Sequence, residues 1–216
     1  MRLSESSQDY LRAIYGLGEQ GGRVSTSAVA ERVGVSAPSA TSMLKKLAGR
    51  GLVRHEPYRG VSLTAKGRRV AVELTRHHRL LEQYLAESLG VSIDEVHDEA
   101  DRLEHALSEQ LEARIDERLG FPTHDPHGDP IPDASLKLAS TELRTLGELE
   151  PGEQATIKHV PDEDAQVLRY LAGLKLLPGE VVELLASAPF GGPLVVLAGG
   201  AEHAISRELA TLIGVG

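Results

Sequence analysis

A chain of 216 residues, with 41% apolar and 25% charged residues, is long enough to form two or three small globular domains. It contains no cysteine, which excludes disulfides, thiolate metal sites and cysteine nucleophiles and fits a reducing compartment. There is no run of about eighteen apolar residues, so no membrane span is predicted. The N-terminal segment lacks the apolar stretch of a secretory signal. We therefore expect a cytoplasmic protein.

Charge is distributed unevenly along the chain. Residues 1–75 carry 12 Lys and Arg against 6 Asp and Glu, a net charge of +6. Residues 76–140 have a net charge of −9, and residues 141–216 a net charge of −6. A basic head on an acidic body fits a local phosphate-binding surface, although chance asymmetry in a soluble protein gives the same pattern.

Helical periodicity and turn residues predict three helices and a β-hairpin in the basic head. Ser6 or Ser7 is the predicted N-cap of the first helix, and Gly34 separates the second helix from the third. The predicted helices cover residues 6–18, 26–33 and 37–50, and the predicted strands cover residues 52–55 and 61–64. Two short helices joined by a tight turn and followed by a hairpin are typical of a winged helix-turn-helix.

The third predicted helix begins with small and hydroxyl-bearing residues. Ser36 is a good N-cap, and Pro38 suits the first helical turn. Such a helix start can enter the major groove of DNA, while basic side chains contact the phosphates. The predicted DNA-binding residues are Ser36, Ala37, Pro38, Ser39, Ser42, Lys45, Lys46 and Arg59. The alternatives are a simple helix cap beside a solvated basic face, or a winged helix that binds protein.

From Lys66 onward, most of the next fifty residues are predicted to be helical. The second long helix, residues 93–119, carries an apolar stripe that suits packing between subunits. The stripe consists of Val96, Ala100, Leu103, Leu107, Leu111 and Ile115. Residues 120–134 are rich in Pro, Gly and Asp and predict a loop. After Ser140, β-like runs at 154–159, 181–185 and 194–197 surround one helix at 165–174 and predict a small barrel.

Imidazole and carboxylate groups recur at helical spacing in the acidic middle of the chain. His78 and Glu82 are four residues apart, and the next helix offers His97, Asp101, Glu104 and His105 beside its apolar stripe. This pattern fits a divalent ion held between packed helices. Oxygen and nitrogen donors without thiolate favour Mn²⁺ and Fe²⁺, with Zn²⁺, Co²⁺ or Ni²⁺ as surrogates. The alternative is a solvated acidic face containing an ordinary His–Glu pair.

The order of these segments resembles a known family. A winged helix followed by HRLLEQ, VHDEADRLEH and PHGDPIP is similar to the diphtheria-toxin-repressor and manganese-transport-regulator metalloregulators, from Ser6 to about Pro132. The tail resembles the SH3-like FeoA barrel that many members carry. The expected fold is mainly α with β. It comprises a winged helix-turn-helix head (1–72), a helical metal-binding and dimerisation domain (73–140) and an SH3-like β-barrel tail (141–216).

The resemblance implies a homodimer that binds metal, then a palindromic double-stranded operator, and represses metal-uptake genes. It implies two metal sites in each subunit. The family's primary site maps onto Asp9, Asp101, Glu104 and His105. The ancillary site maps onto His78, Glu82 and His97, completed by Asp125 and His127 of the PHG loop or by a barrel carboxylate. Glu163 is the candidate from the barrel, with Asp162 and Asp164 beside it.

Departures from the family pattern bear on the choice of metal. Iron-type members have Met at the position of Asp9 and Cys at that of Asp101, so two carboxylates here favour Mn²⁺ over Fe²⁺. A manganese-type member with a two-metal cluster has Glu where this chain has Arg12, and a cation there argues against a close metal pair. Arg79 matches an anion-holding arginine, although Asp125 replaces a small hydroxyl residue of that anion site.

Three rival functions differ from a manganese-dependent repressor. The first is an Fe²⁺-dependent repressor of the same family, and the second is a metal-independent winged-helix regulator that senses an organic ligand. The third, a metallohydrolase, lacks support because no HExxH motif or positioned base occurs in the sequence. We expect no enzymatic activity and no small organic substrate.

Overall fold

The computed structural model describes residues 3–18, 22–56, 59–139, 142–162 and 164–216. The chain divides into two compact units, each assembled from separate segments. The head unit comprises Met1–His78, Glu104–Leu107 and Pro132–Lys137. The body unit comprises Arg79–Leu103, Ser108–Ile131 and Leu138–Gly216. Among the described residues, no helix is both long and apolar enough to cross a membrane.

The head unit is built from helices and one hairpin, in the order expected of a winged helix. Its elements are α1 (Glu5–Gly18), α2 (Thr26–Arg32), α3 (Ala37–Gly49), β1 (Val53–Glu56), β2 (Gly60–Leu63) and the first half of α4 (Ala65–Leu89). Helix α1 contacts α2 and β2, and α3 contacts α2 and β1. The fully buried side chains of Leu11, Leu44, Leu47 and Val61 form part of the core on which these elements pack.

Helix α3 begins as the sequence predicts. Ser36 is its N-cap, and the Ser36 hydroxyl accepts a hydrogen bond from the backbone N–H of Ser39. Pro38 lies in the first turn, where a backbone N–H has no partner within the helix. Strands β1 and β2 pair in antiparallel fashion, with Val53 opposite Leu63 and Glu56 opposite Gly60. The predicted helix-turn-helix and wing are therefore present.

The N-cap predicted for α1 is wrong. Both Ser6 and Ser7 lie inside the helix, which begins at Glu5. Ser7 is fully buried, and its hydroxyl hydrogen-bonds to the hydroxyl of Ser4 at 2.9 Å. The backbone carbonyl of Ser4 accepts the first helical hydrogen bonds, so the helix starts earlier than the run of serines indicates.

The single helix predicted over residues 93–119 is also wrong. The chain forms α5 (Val96–Leu103), a 3-10 helix (Glu104–Ala106) and α6 (Glu109–Arg118). The Ser108 hydroxyl accepts a hydrogen bond from Leu111 N–H and caps α6, so a new helix starts within the apparent period. In consequence the apolar stripe is broken: Val96, Ala100 and Ile115 are buried, but Leu103 and Leu111 are exposed.

The tail of the body unit is an antiparallel sheet with the strand order β3-β8-β4-β5-β6-β7. Its strands are β3 (Arg144–Thr145), β4 (Gln154–His159), β5 (Val181–Ser187), β6 (Leu194–Ala198), β7 (Ala201–Ile205) and β8 (Gly214–Val215), with α7 (Ala165–Gly173) and α8 (Arg207–Ala210) between them. Buried Ile157, Val182 and Val196 belong to one core cluster with Leu168 of α7. The predicted strands at 154–159, 181–185 and 194–197 and the predicted helix are confirmed to within two residues.

Candidate metal centres and DNA-reading surface

Three potential ligands lie together in the head unit, in what we call the Asp9 centre (Asp9, Glu104 and His105). Their ligand atoms lie within 4.8 Å of one another. His105 Nε2 is 3.0 Å from Asp9 Oδ1 and 3.8 Å from Glu104 Oε1. Asp9 projects from α1, whereas Glu104 and His105 belong to the 3-10 helix. The centre therefore joins two segments that are far apart in sequence.

The tautomer of His105 suits a cation in this centre. Gln8 Oε1 lies 2.7 Å from His105 Nδ1 and, as a carbonyl oxygen, accepts its proton. The Nε2 lone pair of a neutral imidazole then faces the carboxylate oxygens of Asp9 and Glu104. Such an array of acceptors is satisfied by a proton or by a metal ion, and hydrogen bonding of the opposite ring nitrogen is the usual way to orient a histidine ligand.

The carboxylate of Glu104 is buried, with 2% of the residue exposed, and its two oxygens face different groups. Oε1 points toward His105, whereas Oε2 lies 2.6 Å from Arg12 Nη1 and 2.8 Å from His78 Nδ1. Arg12 also contacts His78 Nδ1 directly. A buried carboxylate requires such compensation, because an isolated charge away from water is strongly disfavoured.

Asp101, the fourth predicted ligand of the primary site, lies on α5 within the body unit and is half-buried. Its assignment to the primary site stays a prediction. His78, predicted for the ancillary site, lies in the head unit beside Glu104.

A second group of ligands lies in the body unit, in what we call the Glu82 centre (Glu82, His127 and Asp162). Their ligand atoms also lie within 4.8 Å of one another. His97 Nδ1 is 3.0 Å from Glu82 Oε1 and 3.8 Å from Asp162 Oδ2, so His97 borders the same centre. The four residues come from α4, α5, the 120–134 loop and the segment between β4 and α7.

His127 is prepared as a ligand by its surroundings. The residue is fully buried, and its Nε2 donates to the backbone carbonyl of Ile93 at 3.0 Å. Its Nδ1 is then an acceptor that lies 4.0 Å from Glu82 Oε1 and has no hydrogen-bond partner among the described residues. A buried acceptor without a partner is costly in a native protein, and a bound cation satisfies it.

Asp125 lies in the same loop and is buried too. Its Oδ1 accepts hydrogen bonds from the backbone N–H groups of His127 and Asp129, each at 2.9 Å. Its Oδ2 has no hydrogen-bond partner among the described residues. Burial, together with the charges of Glu82 and Asp129, raises the pKa of Asp125 well above its usual value. The loop thus orients His127 through a carboxylate that is itself open to a cation.

Arg79 is paired with carboxylates of this chain. Its Nη2 donates to Asp129 Oδ1 at 2.9 Å, its Nη1 donates to the carbonyl of Pro130 at 2.8 Å, and its Nε is 3.7 Å from Asp125 Oδ2. Asp129, whose pKa is lowered by the hydrogen bond from His159 and the charge of Arg79 against the effect of burial, therefore provides negative charge beside this arginine.

Of the three carboxylates named for the tail, one lies at the second centre among the described residues. Asp162 is grouped with Glu82 and His127, whereas Glu163 lies outside the described residues. Asp164 is the N-cap of α7 and accepts hydrogen bonds from Gln166 and Val167 N–H. All three carboxylates are candidates from the sequence. The sequence does not show which of them faces the centre, because a loop has no periodicity that fixes side-chain direction.

The predicted DNA-reading residues share one property, which is exposure. Helix α3 and its cap present seven of them on the surface, from the N-cap to the last turn: Ser36, Ala37, Pro38, Ser39, Ser42, Lys45 and Lys46. On the wing, Arg59 is exposed and 3.8 Å from Glu56, which also pairs with Arg23. The surface is thus open to a duplex, and its proposed contacts stay predictions.

Both centres suit a hard or borderline divalent ion, since every donor is a carboxylate oxygen or an imidazole nitrogen. Sequence reasoning did not assign a role to Gln8, which orients His105. It placed Arg12 at the position of a metal ligand in the family, but it did not predict the contact of Arg12 with Glu104. A polar residue one position before a ligand on α1 was the available signal for Gln8. Nothing in the spacing of residues indicates that Arg12 meets Glu104.

Family models match three consecutive parts of the chain. Residues 2–61 match the iron-dependent repressor N-terminal DNA-binding domain, and residues 64–133 match the iron-dependent repressor metal-binding and dimerisation domain. Residues 144–216 match the FeoA domain. The predicted winged-helix head and SH3-like tail are confirmed.

Individual relatives cover nearly the whole chain. The iron-dependent repressor IdeR of Mycobacterium leprae is 32% identical over 99% of this chain and 97% of its own. A solved manganese-dependent transcriptional repressor in complex with manganese is 43% identical, with a TM-score of 0.87 over 97% of this chain and 98% of that chain. The structure of ScaR with bound Cd²⁺ is 31% identical, with a TM-score of 0.80 over 97% of this chain and 98% of that one.

The matches cover a DNA-binding, a metal-binding and a FeoA domain in that order along the chain. The proteins of this family are DNA-binding repressors rather than enzymes. The DNA-binding and dimerisation models further indicate operator DNA and a second subunit as partners. The chain belongs to the diphtheria-toxin-repressor family of metal-dependent transcriptional repressors, in the form that carries a C-terminal FeoA domain.

Proposed function

We propose that the protein is a Mn²⁺-dependent repressor that acts in the cytoplasm, binds a palindromic operator as a homodimer and controls metal-uptake genes. The observation that carries the choice of metal is the donor set of the two centres. Asp9, Glu104 and His105 in one, and Glu82, His127 and Asp162 in the other, offer only oxygen and nitrogen. This chemistry favours Mn²⁺ over softer ions. The 43% identity to a manganese-dependent repressor supports the same choice.

The primary site is proposed to use Asp9, Asp101, Glu104 and His105. A bound ion supplies positive charge that offsets the carboxylates. Asp9 lies on α1, which packs against α2 and β2 of the winged helix, so a ligand on α1 is tied to the DNA-reading element through packed helices. Holding Asp9 near His105 therefore restrains the winged helix relative to the segment that carries Glu104.

The ancillary site is proposed to use Glu82, His97, Asp125, His127 and a barrel carboxylate. The buried Nδ1 of His127 and Oδ2 of Asp125 support this set. Contact of His97 with both Glu82 and Asp162 supports Asp162 as the barrel ligand, while Glu163 lies outside the described residues and stays a prediction. The sequence also predicts His78 for the ancillary site. Its Nδ1 lies 2.8 Å from Glu104 Oε2. The domain ranges 1–72, 73–140 and 141–216 are retained as a prediction.

Restraining two winged helices in the spacing of a palindrome accounts for metal-dependent repression. A shift of about 100-fold in the population that fits the operator requires about 2.7 kcal/mol of differential metal affinity, within the usual coupling range. On DNA, the exposed start of α3 is proposed to face the major groove and Lys45, Lys46 and Arg59 the phosphates.

The test begins with duplexes selected from a random pool by the Mn²⁺-loaded protein. Operator affinity is then measured by fluorescence anisotropy in Mn²⁺, Fe²⁺ under anaerobic conditions, Zn²⁺ or chelator. We expect affinity to fall at least about tenfold in chelator, and for Asp9→Asn and Asp101→Ala in Mn²⁺. His124→Gln, which changes an exposed histidine in the loop, is the matched control.

Two rival outcomes are defined by the same experiment. Equal affinity with and without metal would point to a metal-independent regulator that senses an organic ligand. Activation by Fe²⁺ at concentrations where Mn²⁺ is inactive would point to an iron-dependent repressor. The name and 32% identity of the mycobacterial IdeR favour that second candidate.

A further inference from the structure

A single acidic residue lies within the basic part of the head unit. Residues 32–72, which include α3 and the hairpin, contain nine Lys and Arg but one acidic residue, Glu56. Glu56 is the last residue of β1, and it pairs with Gly60 across the hairpin. A negative charge at this place opposes the attraction of the surrounding surface for phosphate.

Two arginines contact Glu56 and form with it what we call the wing cluster (Arg23, Glu56 and Arg59). Arg23 Nη2 donates a hydrogen bond to Glu56 Oε1, and Arg59 Nη1 is 3.8 Å from Glu56 Oε2. The two guanidinium groups therefore approach different oxygens of one carboxylate. The hydrogen bond from Arg23 lowers the pKa of Glu56, so the carboxylate is charged at neutral pH.

The backbone fixes Arg23 beside the hairpin. The next residue, Val24, exchanges two hydrogen bonds with Val61 of β2: Val24 N–H donates to the carbonyl of Val61 at 2.9 Å, and Val61 N–H donates to the carbonyl of Val24 at 2.8 Å. Gly60 permits this approach, because a Cβ there would clash with the carbonyl oxygen of Val24. The position of Arg23 is thus set by its pairing with the hairpin, although it precedes α2 in sequence.

Two guanidinium groups on one anionic group reproduce an arrangement in which arginines bind phosphate. A DNA phosphate offers two charged oxygens, as a carboxylate does. The wing cluster is open to such a ligand, since the side chains of Arg23, Glu56 and Arg59 are 39%, 43% and 79% exposed. An exposed ion pair contributes little to stability, so the arginines exchange Glu56 for a phosphate at small cost.

We propose that Glu56 occupies the place of a DNA phosphate in the free protein: it holds Arg23 and Arg59 on one anionic group, and a backbone phosphate replaces it when the head binds a duplex. Arg23 is then a phosphate-binding residue, in addition to the contacts proposed above. This role rests on the DNA-binding function of the head and on the proposed phosphate contact of Arg59. It requires neither a metal ion nor a particular operator sequence.

Removal of the charge of Glu56 is expected to tighten DNA binding. Even with the dielectric constant of water, a negative charge about 6 Å from a phosphate weakens binding by about threefold, and Glu56 also competes for the arginines. We therefore expect Glu56→Gln to bind a non-operator duplex at least about threefold more tightly than the wild type at low salt. Glu56→Ser makes the same charge change with a side chain too short to reach the arginines, and it should tighten binding as well.

Glu31→Gln is the matched control for this charge change. Glu31 is also an exposed glutamate of the head unit, and it lies on α2 outside the wing cluster. Its replacement changes the net charge of the protein by the same amount. We expect Glu31→Gln to keep the wild-type affinity for the duplex.

The role of Arg23 is measured in the Glu56→Gln background, which lacks the competing carboxylate. There Arg23→Gln should reduce the magnitude of the slope of log K against log salt by about 1, because one phosphate contact is lost. In the wild-type background the same substitution should cost less affinity, since Arg23 has first to leave Glu56. In the Glu56→Gln background, Arg23→Lys keeps the positive charge and should keep the slope.

Affinity is measured by fluorescence anisotropy with the full chain on operator and non-operator duplexes over a range of salt concentrations. Weaker or unchanged binding by both Glu56→Gln and Glu56→Ser would mean that Glu56 merely positions the arginines, and it would overturn the proposal. An equal gain from Glu31→Gln would overturn it too, because overall charge would then govern binding. If Arg23→Gln leaves the slope unchanged in the Glu56→Gln background, Arg23 binds no phosphate and the proposal fails.

Failure of the proposed function is recognised separately. If operator affinity does not depend on Mn²⁺, the metal-dependent function fails, whereas the slopes on the non-operator duplex still decide whether Arg23 binds phosphate.

Discussion

Hydrogen bonds fix which nitrogen each of two buried or half-buried histidines offers to a ligand. Gln8 accepts from Nδ1 of His105, and the Ile93 carbonyl accepts from Nε2 of His127. Opposite nitrogens therefore face the two candidate centres. Helical spacing predicts that a histidine and a carboxylate share a face, but it carries no information on the tautomer, since the partners are distant in sequence.

His159 and Asp129 form an ion pair beside the Glu82 centre, with His159 Nε2 3.5 Å from Asp129 Oδ2. The hydrogen bond to Asp129 raises the pKa of His159 above 6.5, against the effect of burial. For Asp129 burial acts to raise the pKa. The hydrogen bond from His159 and the charge of Arg79 outweigh this effect, so the pKa of Asp129 is lowered.

The pair makes stability depend on pH with a defined sign. The raised pKa of His159 means that its contribution is complete below about pH 6.5, the unfolded value, and is lost as pH rises through the folded value. We expect the metal-free wild type to lose up to about 1 kcal/mol relative to His159→Gln over this range. Urea unfolding in chelator from pH 5.5 to 9 measures it, with His124→Gln as control. A difference between wild type and His159→Gln that grows with pH would contradict this assignment.

At the level of elements, the loop that carries His127 lies directly on strand β4. Gly128 has φ +92°, and a Cβ there would lie 1.8 Å from the backbone carbonyl oxygen of Lys158. The backbone N–H of Val160 donates to the carbonyl of His127 at 2.9 Å, which fixes the same contact. Only glycine permits this approach, so the position of the candidate ligand depends on it.

Gly128→Ala is therefore expected to destabilise the protein by about 2 to 4 kcal/mol, since neither backbone can yield cheaply. Gly152→Ala is the matched control: its φ is +88°, but nothing lies within 4 Å of the added Cβ. That variant should lose only about 1 kcal/mol from backbone strain. Urea unfolding of both variants provides the comparison, and equal losses would show that the contact with Lys158 contributes nothing.

The helix break at Glu104–Ala106 shows where periodicity fails. Leu103, Leu107 and Leu111 continue a regular apolar spacing, so the sequence pattern predicts one helix through them. Ser108 caps α6, and Leu103 and Leu111 are exposed within this subunit. A cap within a periodic stretch is a local signal that the average over a window obscures. The break matters because it places Glu104 and His105 on a 3-10 helix.

For the whole molecule, element types were more predictable than pairings. Strands β4, β5 and β6 follow from β-branched runs bounded by turns, and they pair as neighbours. Strand β8, at residues 214–215, lies between β3 and β4, a pairing across most of the tail that no local pattern specifies. For the same reason the ligand types were predictable from composition, whereas the grouping of Asp162 with Glu82 and His127 required the fold.

The uneven distribution of charge makes a prediction for the intact protein on DNA. Residues 1–75 carry a net charge of +6 within a chain whose overall charge is −9, so attraction to phosphate must come from the head. Lys45 is exposed on α3. Each phosphate that a basic side chain neutralises adds about 0.9 to the magnitude of the slope of log K against log salt. In Mn²⁺, Lys45→Gln should therefore reduce the magnitude of this slope by about 1, and the reduction should be similar on operator and non-operator duplexes.

Lys175→Gln is the matched control, because Lys175 is an exposed lysine of the tail. Its variant should keep the wild-type slope, measured by anisotropy between 50 and 300 mM salt. An equal reduction by both variants would mean that overall charge governs binding. A loss of affinity confined to the operator, with an unchanged slope, would instead make Lys45 a base-reading residue. Only a change in slope specific to Lys45 assigns this part of α3 to the phosphate backbone, because counterion release counts phosphate contacts independently of sequence.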